Sequence, residues 1–405
     1  MSCILEISTG FVMRKKAFLS ILFGWAALFA AVASSTMDDM YFSHFFIKEG
    51  LPYPHVTEIT QDVKGYIWIG TRKGLYRYDG YTINPVRIAG GDTLAETYVR
   101  DIFVRTNGDI WVALDNHVLK YIPEKDMLEQ KAAENTWSKQ PELEANNNPT
   151  VKFTESSDGK LFLLTHSQLY RLNDKTGKFE LFELANSEAI RPPFYEFAAD
   201  KTNGLWLVGA GSLYHINLNS NVITQFDVKK YFTRGEISRV KGILVDSENN
   251  LWLATRGDGL LFYDVRTGVF TPLNKTTGYD IVIARVLLED ADRRLWVGGE
   301  NGLRALDMKT RTLISSIKQD YTNNLGINDD AVYAAFQDKE QNIWFGTYFS
   351  GINILYRDHQ RFCYYQPGYK PVNVSGKAVR QIIEDGQFLW IATEDGGLNK
   401  FDKAT

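Results

Sequence analysis

The sequence predicts an all-β chain built from repeated four-stranded antiparallel units, a β-propeller, on three observations. A Trp-centred pattern returns along the chain at intervals of 43 to 51 residues. Seven of the nine tryptophans occupy its one position, and Gly- or Asn-bearing turns separate the short apolar runs within each unit. Units of that length cannot bury both faces alone, so neighbours must stack and the ring must close on itself. An aromatic content of 13% suits such packing.

The chain begins with an address. Met13-Arg14-Lys15-Lys16 precedes an apolar run from Ala17 to Ala33 that ends in Ala31-Val32-Ala33. A basic cluster, an apolar run and small residues at its end describe a secretory signal peptide over residues 1–33, with Met13 as the natural start. An uncleaved anchor is the alternative, because the run approaches the length of a bilayer span. Either form places the remainder outside the cytoplasm, periplasmic or secreted, touching membrane only through that segment.

The units follow. The first reads Val56-Thr57-Glu58-Ile59-Thr60-Gln61-Asp62, then Gly65-Tyr66-Ile67-Trp68-Ile69-Gly70-Thr71, then Gly74-Leu75-Tyr76-Arg77-Tyr78-Asp79. Clear copies are centred on Trp252, Trp296, Trp344 and Trp390, and weaker ones on Trp111, Phe162 and Trp206. Each opens with an inner strand, ending in Asp in the clear copies, continues with the Trp strand and a third strand, and closes with a shorter fourth. Residues 41–46 read as a stray fourth strand. They could complete residues 378–402 and close an eight-bladed ring. Alternatively seven blades close over residues 34–360, and residues 361–405 begin a second propeller.

Composition removes several functions. Lys plus Arg number 45 against 49 Asp plus Glu, a net charge of −4, which argues against nucleic acid as a partner. Cys3 and Cys363 are the only cysteines, too few for a disulfide framework or a thiolate metal site. No G-x-S-x-G elbow, P-loop or Cys nucleophile is present. No cofactor is expected.

The order of Asp62, Gly65, Trp68, Thr71, Gly74, Leu75, Tyr78 and Asp79 resembles the two-component regulator propeller repeat, and Phe46-Ile47-Lys48-Glu49-Gly50-Leu51-Pro52 is similar to that family's lead-in. The resemblance implies the periplasmic sensor region of a hybrid two-component histidine kinase. In such a region glycan fragments are detected outside and a kinase is controlled inside, through a shift in a homodimer. It also implies seven blades plus the start of a second propeller. Kinase, receiver and DNA-binding segments of the family pattern are absent from these residues.

Within a unit, the loop leading into the inner strand and the loop after the Trp strand emerge on one face, where a rigid scaffold places function. Beside the first apolar residue of the inner strand stand Thr57, Arg100, Val151, Tyr195, Lys241, Arg285, Tyr333 and Arg380. After the Trp strand stand Arg72, Lys73, Arg256, Asp258, Glu300, Asn301, Tyr348 and Phe349. The candidate ligand-binding set is Arg100, Tyr195, Lys241, Arg256, Arg285, Tyr333 and Tyr348. Cations beside tyrosines suit an oligosaccharide, with a carboxylate or sulfate as the group the cations would meet.

The Trp anchors, the second-turn glycines (Gly74, Gly259, Gly302, Gly351) and the strand-closing Asp62, Asp200, Asp246, Asp290 and Asp338 read as structural: seam packing, backbone freedom and turn formation. Trp137, off the register in a polar stretch, reads as folding back onto its own blade or as a free stacking surface. Two other functions stay open. One is a protein-interaction propeller indifferent to glycans. The other is a metal-dependent lyase or hydrolase using His55, His117 and His166.

Overall fold

The computed structural model describes residues 40–403 apart from 47–49, 91–92, 95, 116, 131–149, 184–189, 191, 233–236, 238–239, 274–280, 282, 324 and 358–373. The signal segment, Trp137 and Cys363 lie outside the described residues. Two compact units divide the chain, residues 1–357 and 358–405.

In the first unit, seven sheets are built alike on a meander of antiparallel strands, the second adding Arg87–Ile88 as a parallel edge. Their inner strands are Val56–Gln61, Val99–Val104, Val151–Glu155, Glu196–Ala199, Val240–Val245, Ala284–Glu289 and Val332–Gln337. The strands that follow them carry the anchors: Ile67–Thr71, Ile110–Leu114, Leu161–Thr165, Gly204–Gly209, Leu251–Thr255, Arg294–Gly299 and Ile343–Thr347. Each inner strand touches the next around the unit, and the seventh touches the first, which closes the ring. The fold is a β-propeller.

Closure uses the N-terminal strand. Phe42–Phe45 pairs antiparallel with Ile352–Leu355, with Phe42 opposite Leu355 and Phe45 opposite Ile352, and so supplies the outer strand that the seventh sheet lacks. The eight-bladed closure in which residues 41–46 complete residues 378–402 is therefore not the one formed. At the same seam Lys339 donates its backbone N–H to Gln61 Oε1 at 2.9 Å and its Nζ to the Asp62 carbonyl at 2.8 Å.

The anchors explain the stacking. Trp68 packs with Val99, Ile102 and Leu119 of the following sheet, Trp252 with Ala284, Leu295 and Val297, Trp296 with Val332 and Phe345, and Trp344 with Val56 and Ile69. All six anchor tryptophans of this unit are buried. The indole nitrogen explains the strand-closing Asp. Trp68, Trp252, Trp296 and Trp344 donate Nε1–H to Asp62, Asp246, Asp290 and Asp338 at 2.7–2.9 Å. The other carboxylate oxygen of Asp246 accepts the backbone N–H of Glu248 and Asn250, holding the turn between the two strands. One side chain thus forms the turn and satisfies the buried donor, so no anchor N–H in these sheets is left without a partner.

Two variants show what happens when the Asp is lost or redirected. The second sheet has Arg105 at that position, and the buried Trp111 Nε1 has no hydrogen-bond partner. Arg105 bonds instead to Glu155, Asp174 and the Gly159 carbonyl. In the fourth sheet Asp200 accepts from His215 at 2.6 Å. Burial would raise the Asp200 carboxyl, but hydrogen bonds from His215, Thr202 and Gly204 hold it at about 2.

A small residue near the end of the Trp strand permits close stacking. A Cβ on Gly346 would lie 2.6 Å from Val56 Cγ1 across the closing seam, and one on Gly298 would lie 2.8 Å from Val332 Cγ1. The four second-turn glycines all have positive φ, as their role in the turn requires.

The second unit is a three-stranded sheet, Val379–Asp385, Phe388–Thr393 and Gly397–Asp402. It repeats the same grammar: Trp390 Nε1 reaches Asp385 at 3.4 Å, and Thr393 Oγ1 donates to the Gly397 carbonyl at 3.0 Å.

The indole–carboxylate bond makes a measurable difference. Asp246→Ala should lower unfolding stability by about 1–3 kcal/mol, the cost of an orphaned buried donor. Trp252→Phe should destabilise more than Trp111→Phe, because only Trp252 loses a hydrogen bond while both lose similar volume. Equal losses in chemical denaturation would contradict this assignment.

Candidate functional site

The site begins with an irregularity in the pairing of inner and Trp strands. In the first, second, fifth, sixth and seventh sheets the register skips one inner-strand residue, between Val56 and Glu58, Val99 and Asp101, Val240 and Gly242, Ala284 and Val286, and Val332 and Ala334. The skipped residues are Thr57, Arg100, Lys241, Arg285 and Tyr333. A bulge leaves its extra residue without a partner opposite and re-aims its side chain. All five line one cavity of about 600 Å³ inside the ring.

The third and fourth sheets have no bulge: Val151 faces Thr165, Lys152 faces Leu164, and Glu196 faces Val208. Val151 and Tyr195 line the cavity as the sequence reading expects, but the charged groups there are one residue further on, Lys152 and Glu196. Of the seven candidate residues, the structure brings Arg100, Tyr195, Lys241, Arg285 and Tyr333 to the cavity. Tyr348 stands beside it, its ring 4.1 Å from His55 and 5.3 Å from Tyr333. Arg256 is exposed, bridges in backbone to Ile283 and does not line the cavity; its charge nonetheless acts on Lys241 and Glu300.

An aromatic wall forms on one side. Phe349, 65% exposed, lies 4.5 Å from Tyr348, which leads through His55 and Tyr333 towards Tyr98. The Phe349 N–H donates to Asp329 Oδ2 at 2.7 Å, which fixes the loop that carries it. His55 is 6% exposed, and its Nδ1 has no hydrogen-bond partner. Burial, with the charges of Arg72, Arg100 and Arg285, lowers its pKa to about 4, so the imidazole is neutral at physiological pH.

The rim arginines are held by neighbours. Arg100 stacks 3.7 Å above the Tyr98 ring and pairs through Nε with Asp115 at 2.5 Å. Arg285 sits 4.5 Å above the Tyr333 ring and pairs with Glu300 through Nε at 2.8 Å and through its terminal nitrogen at 2.5 Å. Tyr333 donates its hydroxyl to the same Glu300 oxygen at 2.8 Å. Burial alone would raise the Glu300 carboxyl, but those bonds from Tyr333 and Arg285 hold it below its usual value.

Elsewhere in the cavity lies a group of charges that the sequence reading missed: Glu58, Asp101, Lys152 and Glu196. Lys152 Nζ donates to both Glu196 oxygens, at 2.7 and 2.9 Å. Asp101 Oδ2 accepts the Phe153 N–H of the next sheet at 2.6 Å. The surface Glu58 retains faces this cavity. Burial, reinforced by the charge of Asp101, pushes the Glu58 carboxyl well above the ordinary carboxylate range, and burial raises Asp101 too. Burial also raises Glu196, with Lys152 pulling it back.

The three-histidine metal arrangement does not assemble. His55 and His166 line the cavity and His117 does not, and among the described residues no group of three or more His, Cys, Asp or Glu is placed to hold a metal ion.

A carboxyl whose pKa is raised in the fold binds its proton more tightly there than in the unfolded chain. Its stabilising contribution is complete below the ordinary carboxyl pKa and is lost as pH climbs through the raised value. The melting temperature of the wild type should therefore fall more between pH 5 and pH 9 than that of Glu58→Gln. Parallel curves would show that Glu58 titrates normally.

Residues 326–349, spanning the inner and Trp strands of the seventh sheet, match the family described as two component regulator propeller. Histidine kinase P4 of Formosa agariphila is 26% identical over 380 residues, covering 88% of this chain and 27% of that protein. An extracellular domain assigned to a hybrid two component system of B. thetaiotaomicron superposes with a TM-score of 0.69 at 23% identity, over 90% of this chain and 48% of that one. A second such domain from the same organism, assigned to a one component system, gives 0.63 at 22%, over 90% and 46%. Virginiamycin B lyase from Staphylococcus aureus gives 0.55 at 17%, over 74% and 94%. The chain thus spans about a quarter of the kinase and about half of each sensor domain. The resemblance read from the repeat is borne out, and the solved structures share the propeller fold.

Proposed function

We propose that this two-component regulator propeller is a ligand-sensing domain outside the cytoplasm, that it binds an oligosaccharide at the mouth of its central cavity, and that occupancy there is passed to a histidine kinase module not contained in these residues. The observation that carries this reading is the mouth itself. Five bulged strands and the loops beside them converge an aromatic wall, stacked guanidinium groups and carboxylates on one opening. Sugar rings offer C–H faces to aromatic rings and hydroxyls to charged hydrogen-bonding groups, so both halves of the mouth have a use. Binding without chemical change fits the site better than catalysis, since its arginines and Tyr333 are tied into pairs and the described histidines do not converge.

The second unit fits the start of a further propeller. Its first strand, Val379–Asp385, is exposed along its whole length, including Ile382 and Ile383, where the inner strands of the ring are covered by neighbours. The signal segment at residues 1–33 fits export to the periplasm.

The test is thermal stability of the full chain against a panel of neutral and acidic oligosaccharides. A ligand at 100 times its dissociation constant should add about 2.7 kcal/mol. That stabilisation should vanish in Tyr348→Ala and Phe349→Ala proteins whose own melting temperatures stay near wild type. Absence of any shift across the panel would contradict the reading.

A further inference from the structure

Resting on that reading of the mouth, the structure says which class of oligosaccharide it takes. Cations on the inner strands would by themselves favour acidic sugars. Each arginine at a bulge, however, comes with its own acid. The bulge residue of the inner strand pairs with the first residue past the Trp strand of the same sheet: Arg100 with Asp115 and Arg285 with Glu300. Within the second unit the same two positions pair again, Arg380 with Glu394 at 2.6 Å. Among the described bulges the pairing is made wherever the bulge residue is an arginine, so it is not an accident of one loop. The bulge turns the arginine towards the turn that the antiparallel neighbour has just begun, and the acid waits there.

A census of charge gives the same answer. Arg100, Lys152, Lys241 and Arg285 face carboxyls from Glu58, Asp101 and Glu196 inside the cavity and from Asp115 and Glu300 at its rim. Four cations meet five acids, and burial shifts one of these, Glu58, towards its protonated form. Within that lining no cationic surplus remains to meet an incoming anion; Arg72 and Arg256 stand outside it, their charges reaching His55, Lys241 and Glu300. A ligand carboxylate or sulfate approaching Arg100 or Arg285 would have to displace Asp115 or Glu300, or sit against it at like-charge distance. A hydroxyl faces no such conflict. It can donate to a carboxylate lone pair and accept from a guanidinium N–H on the same pair, while the tyrosine under the guanidinium packs against the ring. His55 adds a neutral imidazole with an unpartnered Nδ1 in the same lining.

We propose that the mouth selects uncharged oligosaccharides, and that Asp115 and Glu300 are the specificity-determining residues that exclude acidic ones. The experiment is calorimetric titration of the full chain with neutral oligosaccharides and with counterparts differing only by a carboxyl or sulfate group, at low and at physiological salt. Wild type should bind a neutral member at least tenfold more tightly than its acidic counterpart, with little dependence on salt. Asp115→Asn/Glu300→Gln should bring the acidic counterpart up at least tenfold, in a salt-sensitive manner. Glu300→Gln alone, which keeps an acceptor for Tyr333, should give part of that change if the double variant folds poorly. Tighter binding of the acidic member by wild type, or a ratio unmoved in both variants, would overturn the proposal and leave the sensor reading standing. Failure of wild type and variants to bind any saccharide would overturn the sensor reading and this proposal with it.

Discussion

A single side-chain pair organises most of this molecule: a buried indole that donates its N–H to an aspartate six residues earlier. The aspartate shapes the turn between inner and Trp strands with one oxygen and receives the indole with the other. The indole, held in that orientation, lays its apolar body on the next sheet. Turn, strand pairing and inter-sheet seam are therefore fixed together, and the ring is the repetition of one local solution. The second sheet is the informative exception. There Arg105 has abandoned the role for an ion network with Glu155 and Asp174 of the next sheet, the indole N–H goes unpaired, and the seam persists on apolar packing of the ring together with that network. Burial of the ring system thus sets the seam, and the hydrogen bond adds to it.

Because the scaffold is repetitive, whatever distinguishes one sheet from another has few places to appear. The bulge near the start of the inner strand is the main one. It frees a residue from pairing in five sheets and delivers Thr, Arg, Lys, Arg and Tyr to one cavity. The first residue past the Trp strand is the second such place, and there the chain puts Arg72, Asp115, His166, Arg256, Glu300 and Tyr348. Both positions lie on one face as a matter of strand direction. Specificity can change there without disturbing the indole–carboxylate pair that holds the ring.

Much of this was legible in the sequence because the structural residues are periodic. The Trp positions, the strand-closing aspartates, the turn glycines and the run of bulge residues Arg100, Lys241, Arg285 and Tyr333 all follow from one aligned pattern. What escaped falls where the pattern is silent. Sheets three and four lack the bulge, and nothing in Val151-Lys152 or Tyr195-Glu196 announces that, so the reading stopped one residue short of Lys152 and Glu196. Glu58 and Asp101 carry no signal in the pattern, because their burial comes from neighbouring sheets. Asp115 went unnoticed because the loop Asp115-Asn116-His117 does not resemble the turns of the clear repeats, although it holds Arg100. Partnership across strands decides what a charge can do, and a linear reading counted Arg100 and Arg285 as free charges. Arg256 sits at a rim position by register and yet does not line the cavity.

The central claim is that ligand meets this protein at the mouth formed by bulges and post-Trp loops of adjoining sheets. Hydrogen exchange with mass spectrometry, on the chain with and without the saccharide that stabilises it most, reads this directly. Protection should concentrate in peptides spanning residues 53–58, 96–101, 283–300 and 331–349. The outer strands Ile83–Pro85 and Leu313–Ile317 should exchange as in the free protein. Protection confined to those outer strands, with the mouth peptides unchanged, would contradict the account.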